Sequence, residues 1–159
     1  MEKDKQVIAV GNSQSLARVG VQIGLVSKIL KEERQDYWKS KLRILQDNRL
    51  FEVLLFESQQ CILEFPDWFF GYLGKGIAKE EKENYLEALN NYDKAIELNP
   101  NYANNYSNRG STKHSLRDFE GAIKDYNKAL ELNANNFETN HNILQAKDGF
   151  CDLRYISRF

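Results

Sequence analysis

Cysteine is scarce in this chain: of 159 residues only Cys61 and Cys151 carry a thiol, far apart and with no histidine or second cysteine at ligand spacing. That excludes a disulfide scaffold and a zinc finger, and it fits a reducing compartment. Proline is down to two residues, while 42 % hydrophobic and 28 % charged residues describe a globular chain rather than a disordered or collagen-like one. Neither sign of charge dominates. The 22 basic and 23 acidic side chains leave a net charge of -1, so no bulk field recruits a phosphate backbone or an anionic lipid surface. Long apolar runs are also missing, and none approaches the ~20 residues that a membrane-spanning helix requires. Near the amino terminus Asn12, Ser13, Gln14, Ser15 and Arg18 interrupt what would have to be the apolar core of a secretory signal. The expectation is a cytoplasmic protein forming one unit, because ordinary domains hold roughly 100–150 residues.

What the chain does have is an internal repeat. The segment from Tyr85 to Asn99, YLEALNNYDKAIELN, recurs without a gap as FEGAIKDYNKALELN from Phe119 to Asn133, 34 residues later. At the same offset upstream, Phe51, Leu54, Ser58, Cys61, Leu63 and Pro66 fall in the columns of Tyr85, Ala88, Tyr92, Ala95, Glu97 and Pro100. Trp38 precedes them in the column of Tyr72 and Tyr106. Apolar residues within each copy are helically spaced, as in Leu86, Leu89, Ala95 with Ile96 and in Ile123, Tyr126, Leu130, so each helix has a stripe that needs a neighbour.

These columns resemble the tetratricopeptide repeat, a helix–turn–helix unit of 34 residues. Gly76 and Gly110 take the column where two helices of one repeat approach closely, and Ala88, Ala122, Ala95 and Ala129 take other small columns. Asn84 and Asp118 stand where a short polar side chain accepts orphan amide hydrogens at a helix start. The implied fold is all-α, an α-solenoid of stacked helix–turn–helix repeats with terminal capping helices. Its segments are an amphipathic helical segment at 1–34, a degenerate repeat at 35–68, repeats at 69–102 and 103–136, and a capping helix at 137–159. The degenerate copy has Leu42 for the glycine, Leu54 for the first alanine and Ser58 for the aromatic, which requires different packing. Lys75 and Arg109 replace the usual leucine, and Lys79 and Lys113 a later aromatic, which predicts looseness there.

The ends carry apolar stripes of their own. Leu16, Val19, Ile23, Val26 and Leu30 alternate spacings of three and four, the pattern of one helix face. Such a helix either caps the solenoid or serves a partner, including a second copy or the chain's own groove, and Gly20 and Gly24 permit close backbone approach. Past Phe137, where a further first helix begins with Ile143 and Leu144 in apolar columns, Phe150, Leu153, Ile156 and Phe159 continue as a cap would.

No enzyme is legible. The run Gly71-Tyr72-Leu73-Gly74-Lys75-Gly76 lacks the Lys-Ser or Lys-Thr and the preceding strand of a phosphate loop, so it reads as helix packing. His114 and His141 are the only histidines, set on the order of 14 Å apart by helix rise and spacing, too far to share a metal. Glu80, Glu81 and Glu83 lie at a turn without an apolar pocket and read as a solvated face. Cys61 occupies a small column and reads as a structural thiol. No cofactor is implied.

What the resemblance implies is a protein-interaction adaptor that holds a peptide or helix of a partner along the inner faces of the first helices. Carried over column by column, that groove comprises Lys39, Arg43, Phe70, Leu73, Ile77, Asn104, Ser107, Asn108, Ser111 and His114, with Phe70 and Leu73 as anchors. One branch of the family grips carboxyl-terminal carboxylates with Lys and Asn, then Asn, then Lys and Arg. Here those columns hold Leu73 and Ile77, Asn108, and Glu138 and Asn142, so the basic clamp is absent. The alternative is a self-associating or self-capped assembly factor whose groove is filled by residues 1–34, and a homodimer stays open. Nucleic acid is disfavoured: the five segments carry +2, -2, -2, +1 and 0 charges, with no basic stripe. The fourteen asparagines between Asn84 and Asn142 are assigned to solvent positions and turns.

Overall fold

Nothing between Ser13 and Asp47 stops a helix: the stretch has no proline, and Lys31-Glu32-Glu33-Arg34-Gln35 consists of good helix formers. The chain accordingly forms one helix, α1 (Ser13–Asp47), through the boundary expected at residue 34. The computed structural model describes residues 13–133, 139 and 141–147. Two units divide the chain, Met1–Ser40 and Lys41–Phe159. The expected features at Val7–Val10, Phe137, Glu138 and 149–159, Cys151 among them, lie outside the described residues, as do the side chains of Leu16 and Val19.

The second unit continues with α2 (Phe51–Glu64), α3 (Phe69–Glu81), α4 (Tyr85–Leu98), α5 (Ala103–Ser115) and α6 (Phe119–Leu132). Residues 141–147 are helical as well. From α2 to α6 each helix packs on the next, and α3 also touches α5. Backbone conformation repeats with the sequence. Arg49, Glu83 and Arg117, spaced by 34, all have positive φ, at 56, 57 and 64°. Each closes the first helix of its pair with the same two hydrogen bonds: Arg49, Glu83 and Arg117 donate to Gln46, Glu80 and His114, while Leu50, Asn84 and Asp118 donate to Leu45, Lys79 and Lys113. These are left-handed helix stops, a place usually taken by glycine.

Packing of small against large residues explains the glycines. A Cβ on Gly76 would come within 2.5 Å of the Tyr92 ring, and one on Gly110 within 2.7 Å of the Tyr126 ring. In the degenerate pair the sizes are exchanged, since buried Leu42 stands in the glycine column and buried Ser58 in the tyrosine column. The room beside Ser58 is taken from the other side by Gly74, where a Cβ would lie 2.5 Å from Ser58 Oγ. Gly71 likewise presses on Ile62 of α2. The glycine cluster is thus a helix-packing surface, as expected.

Two local expectations are corrected. Asp118 accepts a hydrogen bond from the Gly121 amide at 3.0 Å, but Asn84 does not cap α4; its amide donates instead to Glu87 Oε1 at 2.8 Å. The repeats are also not loose at their cationic substitutions. Arg109 forks onto buried Asp125, Nε to Oδ2 at 2.8 Å and Nη2 to Oδ1 at 2.6 Å. Its Nη1 reaches Asp93 at 2.6 Å, and Lys113 meets Asp125 at 2.7 Å. Lys79 pairs with Glu87 at 2.8 Å, and Lys75 donates to Gln59 at 3.2 Å. Long cationic side chains lie along the helices and finish in carboxylates or an amide of neighbouring helices, which fills the space a leucine or aromatic would occupy.

The final described stretch extends the core: Ile143 and Ala146 pack with Phe119, Ala122 and Tyr126. Leu144, expected on the same apolar face, is exposed. Nor are all asparagines at solvent positions. Asn105 is fully buried, and its Nδ2 donates to the carbonyls of Ala95 and Asn99 at 3.1 and 3.3 Å, satisfying the end of α4.

Candidate functional site

The first helices of successive pairs present the expected groove residues, but with unequal access. On α3, Phe70, Leu73 and Ile77 are spaced by three and four and share a face. Leu73 and Ile77 are buried. The expectation of Leu73 as an open anchor is therefore corrected: α3 has α2, α4 and α5 against it, and apolar side chains on a helix so surrounded become core. Phe70 keeps part of its surface.

Phe70 also belongs to a group of rings that the repeat columns do not disclose. Its centroid lies 5.1 Å from Trp68, 4.6 Å from Phe69 and 5.7 Å from Tyr102, and Phe65 joins through Trp68 at 6.1 Å. Phe69 is buried and the other four are half-buried, so the group shows ring edges and faces at the amino-terminal ends of α3 and α5. The legible signal was the composition of Phe65-Pro66-Asp67-Trp68-Phe69-Phe70, although Tyr102 enters only through folding.

On α5, Asn104, Ser107, Asn108 and Ser111 follow helical spacing along one face. Asn104 is exposed, and Ser107, Asn108 and Ser111 are half-buried. Two of these hydroxyls are occupied internally: Ser107 Oγ lies 3.1 Å from Thr139 Oγ1, and Ser111 hydrogen-bonds to Glu80. His114 stands edge-on to Phe119 at 5.2 Å and so packs at the turn to α6. Asn104 and Asn108, one turn apart, keep side-chain amides with no hydrogen bond among the described residues. Lys39 and Arg43 are exposed, Lys39 in the first unit and Arg43 in the second.

Charge at the carboxyl ends of these helices is held by burial. Burial raises the Glu80 carboxyl above the ordinary range, against the opposing pull of hydrogen bonds from Tyr92, Ser111 and Thr112; Tyr92 Oη donates to it at 2.7 Å. The Tyr92 hydroxyl, buried beside that carboxyl, is pushed well above its usual value. Glu80 is therefore not part of the solvated acidic face expected for it, while Glu81 and Glu83 are exposed. Burial, with Glu64 nearby, pushes the Cys61 thiol up to about 12, which keeps it protonated and unreactive. Among the described residues no cluster of three or more His, Cys, Asp or Glu side chains could hold a metal ion, and no helix is long and apolar enough to cross a membrane.

Comparison with known proteins bears on this geometry. Residues 103–136 match the family model described as tetratricopeptide repeat, and residues 80–117 match one described as TPR repeat. No curated protein sequence matches significantly. Several solved structures are similar. The first TPR of Spaghetti (RPAP3), bound to the HSP90 peptide SRMEEVD, is 23% identical with a TM-score of 0.66, over 72% of this chain and 90% of that one. The TPR2B domain of yeast Sti1, in complex with an Hsp70 peptide, is 16% identical with a TM-score of 0.63, over 70% and 97%. The Sgt2 TPR domain from Aspergillus fumigatus is 16% identical with a TM-score of 0.69, over 76% and 81%.

Proposed function

We propose, on the premise that this chain belongs to the tetratricopeptide repeat family, that it is a non-catalytic adaptor holding a peptide or helical segment of a partner protein against α3 and α5. One observation carries the reading: the unengaged amides of Asn104 and Asn108 stand one turn apart on α5, just beyond Tyr102, whose half-buried ring meets that of Phe70 at 5.7 Å. Paired amides meet a peptide backbone's donors and acceptors, and a half-buried ring group takes an apolar side chain.

The similar domains of Spaghetti and Sti1 hold chaperone peptides, which supports peptide recognition as a use of this fold. The same ligand is not proposed here. Buried Leu73 and Ile77 occupy columns where a carboxylate clamp needs Lys and Asn, so a terminal carboxylate meets no cation in those columns. The self-capped alternative gains no support from the similar structures.

Affinity capture from host lysate with mass spectrometry tests the proposal, using wild type and an Asn104→Asp, Asn108→Asp double variant of unchanged thermal unfolding. Captured proteins lost from the variant support the α5 site. Identical capture by both, or saturable binding of the SRMEEVD peptide by wild type, refutes it.

A further inference from the structure

The first unit carries an apolar surface that the repeats' peptide-binding role does not use. Val21, Ile23, Leu25, Val26, Ile29 and Leu30 of α1 are all 43 to 72 % exposed. From those fractions the six present roughly 600 Å², at the upper end of what a monomer shows to solvent.

Their spread around the helix selects the occupant. At about 100° per residue, Val21, Leu25, Ile29, Val26, Leu30 and Ile23 follow one another around α1 through an arc of about 200°. A helix docked on protein needs a stripe of only about 100°, and a coiled-coil seam is narrower still, so either would leave much of this arc in water. A planar apolar boundary covers half a cylinder at once, and that is the sector the six side chains fill. Gln22, uncharged, is the one polar residue within the arc from Val21 to Leu30, and Gly24, Ser27 and Lys28 take the opposite half, followed there by Lys31. Glu32 and Glu33 are the next residues to fall in the arc, and they close the surface.

Charge selects the kind of boundary. The balanced total conceals an uneven distribution: no acidic residue stands between Asp4 and Glu32, where Lys5, Arg18, Lys28 and Lys31 do. Lys28 and Lys31, both exposed, belong to the half of α1 opposite the aliphatics. Lys28 comes no nearer to Glu32 than 3.9 Å, with 73 % of the lysine side chain exposed, so this loose surface pair leaves its amine available. Aliphatics on one half of a helix and amines on the other match the layer where acyl chains meet anionic headgroups. We infer that residues 21–31 of α1 lie in the plane of an anionic bilayer surface, the aliphatic half toward the acyl chains and Lys28 and Lys31 among the headgroups. The helix lies on the membrane and does not cross it, since no described helix is long and apolar enough to span.

Flotation of the full chain with vesicles of phosphatidylcholine and phosphatidylserine in equal parts, beside vesicles of phosphatidylcholine alone, tests this. Wild type is expected to float with the anionic vesicles and to be released by high salt. An Ile23→Asp, Leu30→Asp variant is expected to lose more than about tenfold in vesicle partitioning, because two aliphatic contacts become charges. Both side chains are exposed and lie outside the repeats, so the thermal transition of the repeats should be retained. The milder Lys28→Gln, Lys31→Gln variant keeps the aliphatic half and should lose about thirtyfold on anionic vesicles alone. Wild type that stays in solution with both vesicles overturns the inference, and a doubled mass by light scattering in that sample would assign the surface to a second copy. Undiminished flotation of the Asp variant overturns it too, since another surface would then hold the lipid. Equal flotation of wild type with both vesicles overturns the choice of an anionic surface.

Discussion

α3 and α5 hold equivalent places in successive 34-residue units, yet their chemistry diverges. Leu73 corresponds to Ser107 and Ile77 to Ser111, so the face that is core on α3 is hydroxyl-bearing on α5. Gly76 and Gly110 keep the same close contact with Tyr92 and Tyr126. The contact between the paired helices is thus held constant while the remaining face varies. Stability in such an array is roughly a sum of repeat and neighbour terms, so a face outside the paired contact can change without rewriting the fold. Cations follow the same logic: Lys75 and Arg109 share a column, but only Arg109 finds a buried carboxylate in its own second helix, because Asp125 replaces Asn91 there.

The largest test of that contrast is Asp125→Ala. Removing the carboxylate leaves Arg109 and Lys113 without their shared partner in a buried setting, and the expected loss is about 3–5 kcal/mol in urea denaturation. Asn91→Ala, at the half-buried equivalent, should cost under about 1 kcal/mol; equal losses would show that the two repeats are held alike. Smaller, and meant to strike both repeats equally, is an added methyl at the shared glycines. Gly76→Ala and Gly110→Ala should each cost about 1–3 kcal/mol through displacement of the tyrosine ring. Gly24→Ala, with open space around it, should instead be neutral or gain up to about 1 kcal/mol. Thermal denaturation of the three variants separates packing from helix propensity.

The smallest effect expected is pH-dependent and confined to α3. Burial raises the Glu80 pKa in the folded state, so its protonated form is favoured by folding. Its contribution to stability is full below the unfolded carboxyl value and is lost as pH rises through the raised folded value. Glu80→Gln should flatten that fall, seen as a shallower decline of urea midpoint above the ordinary carboxylate range; an unchanged slope would mean that Glu80 is solvated.

Legibility in the sequence followed the range of each interaction. The 34-residue register, the glycine columns and the Asp118 cap were readable because each is local or repeated. The Asn84 cap was misread because Asn and Asp look alike as acceptors, and the nearby Glu87 carboxylate draws the Asn84 amide as a donor. Leu73 looked like an anchor because its column faces inward in the family, yet inward is also where neighbouring helices close over α3. The Arg109–Asp125 fork and the Phe70–Tyr102 contact join residues 16 and 32 apart, a separation that no helical periodicity displays.

The three turns at Arg49, Glu83 and Arg117 have a consequence for how the chain folds. A left-handed conformation costs an ordinary residue roughly 1–2 kcal/mol, so none of these turns is favoured by its own sequence. Each must be imposed by the two helices it joins once they have docked. Closure of each turn and docking of the two helices it joins should therefore be one event, so no turn forms ahead of its own helix pair.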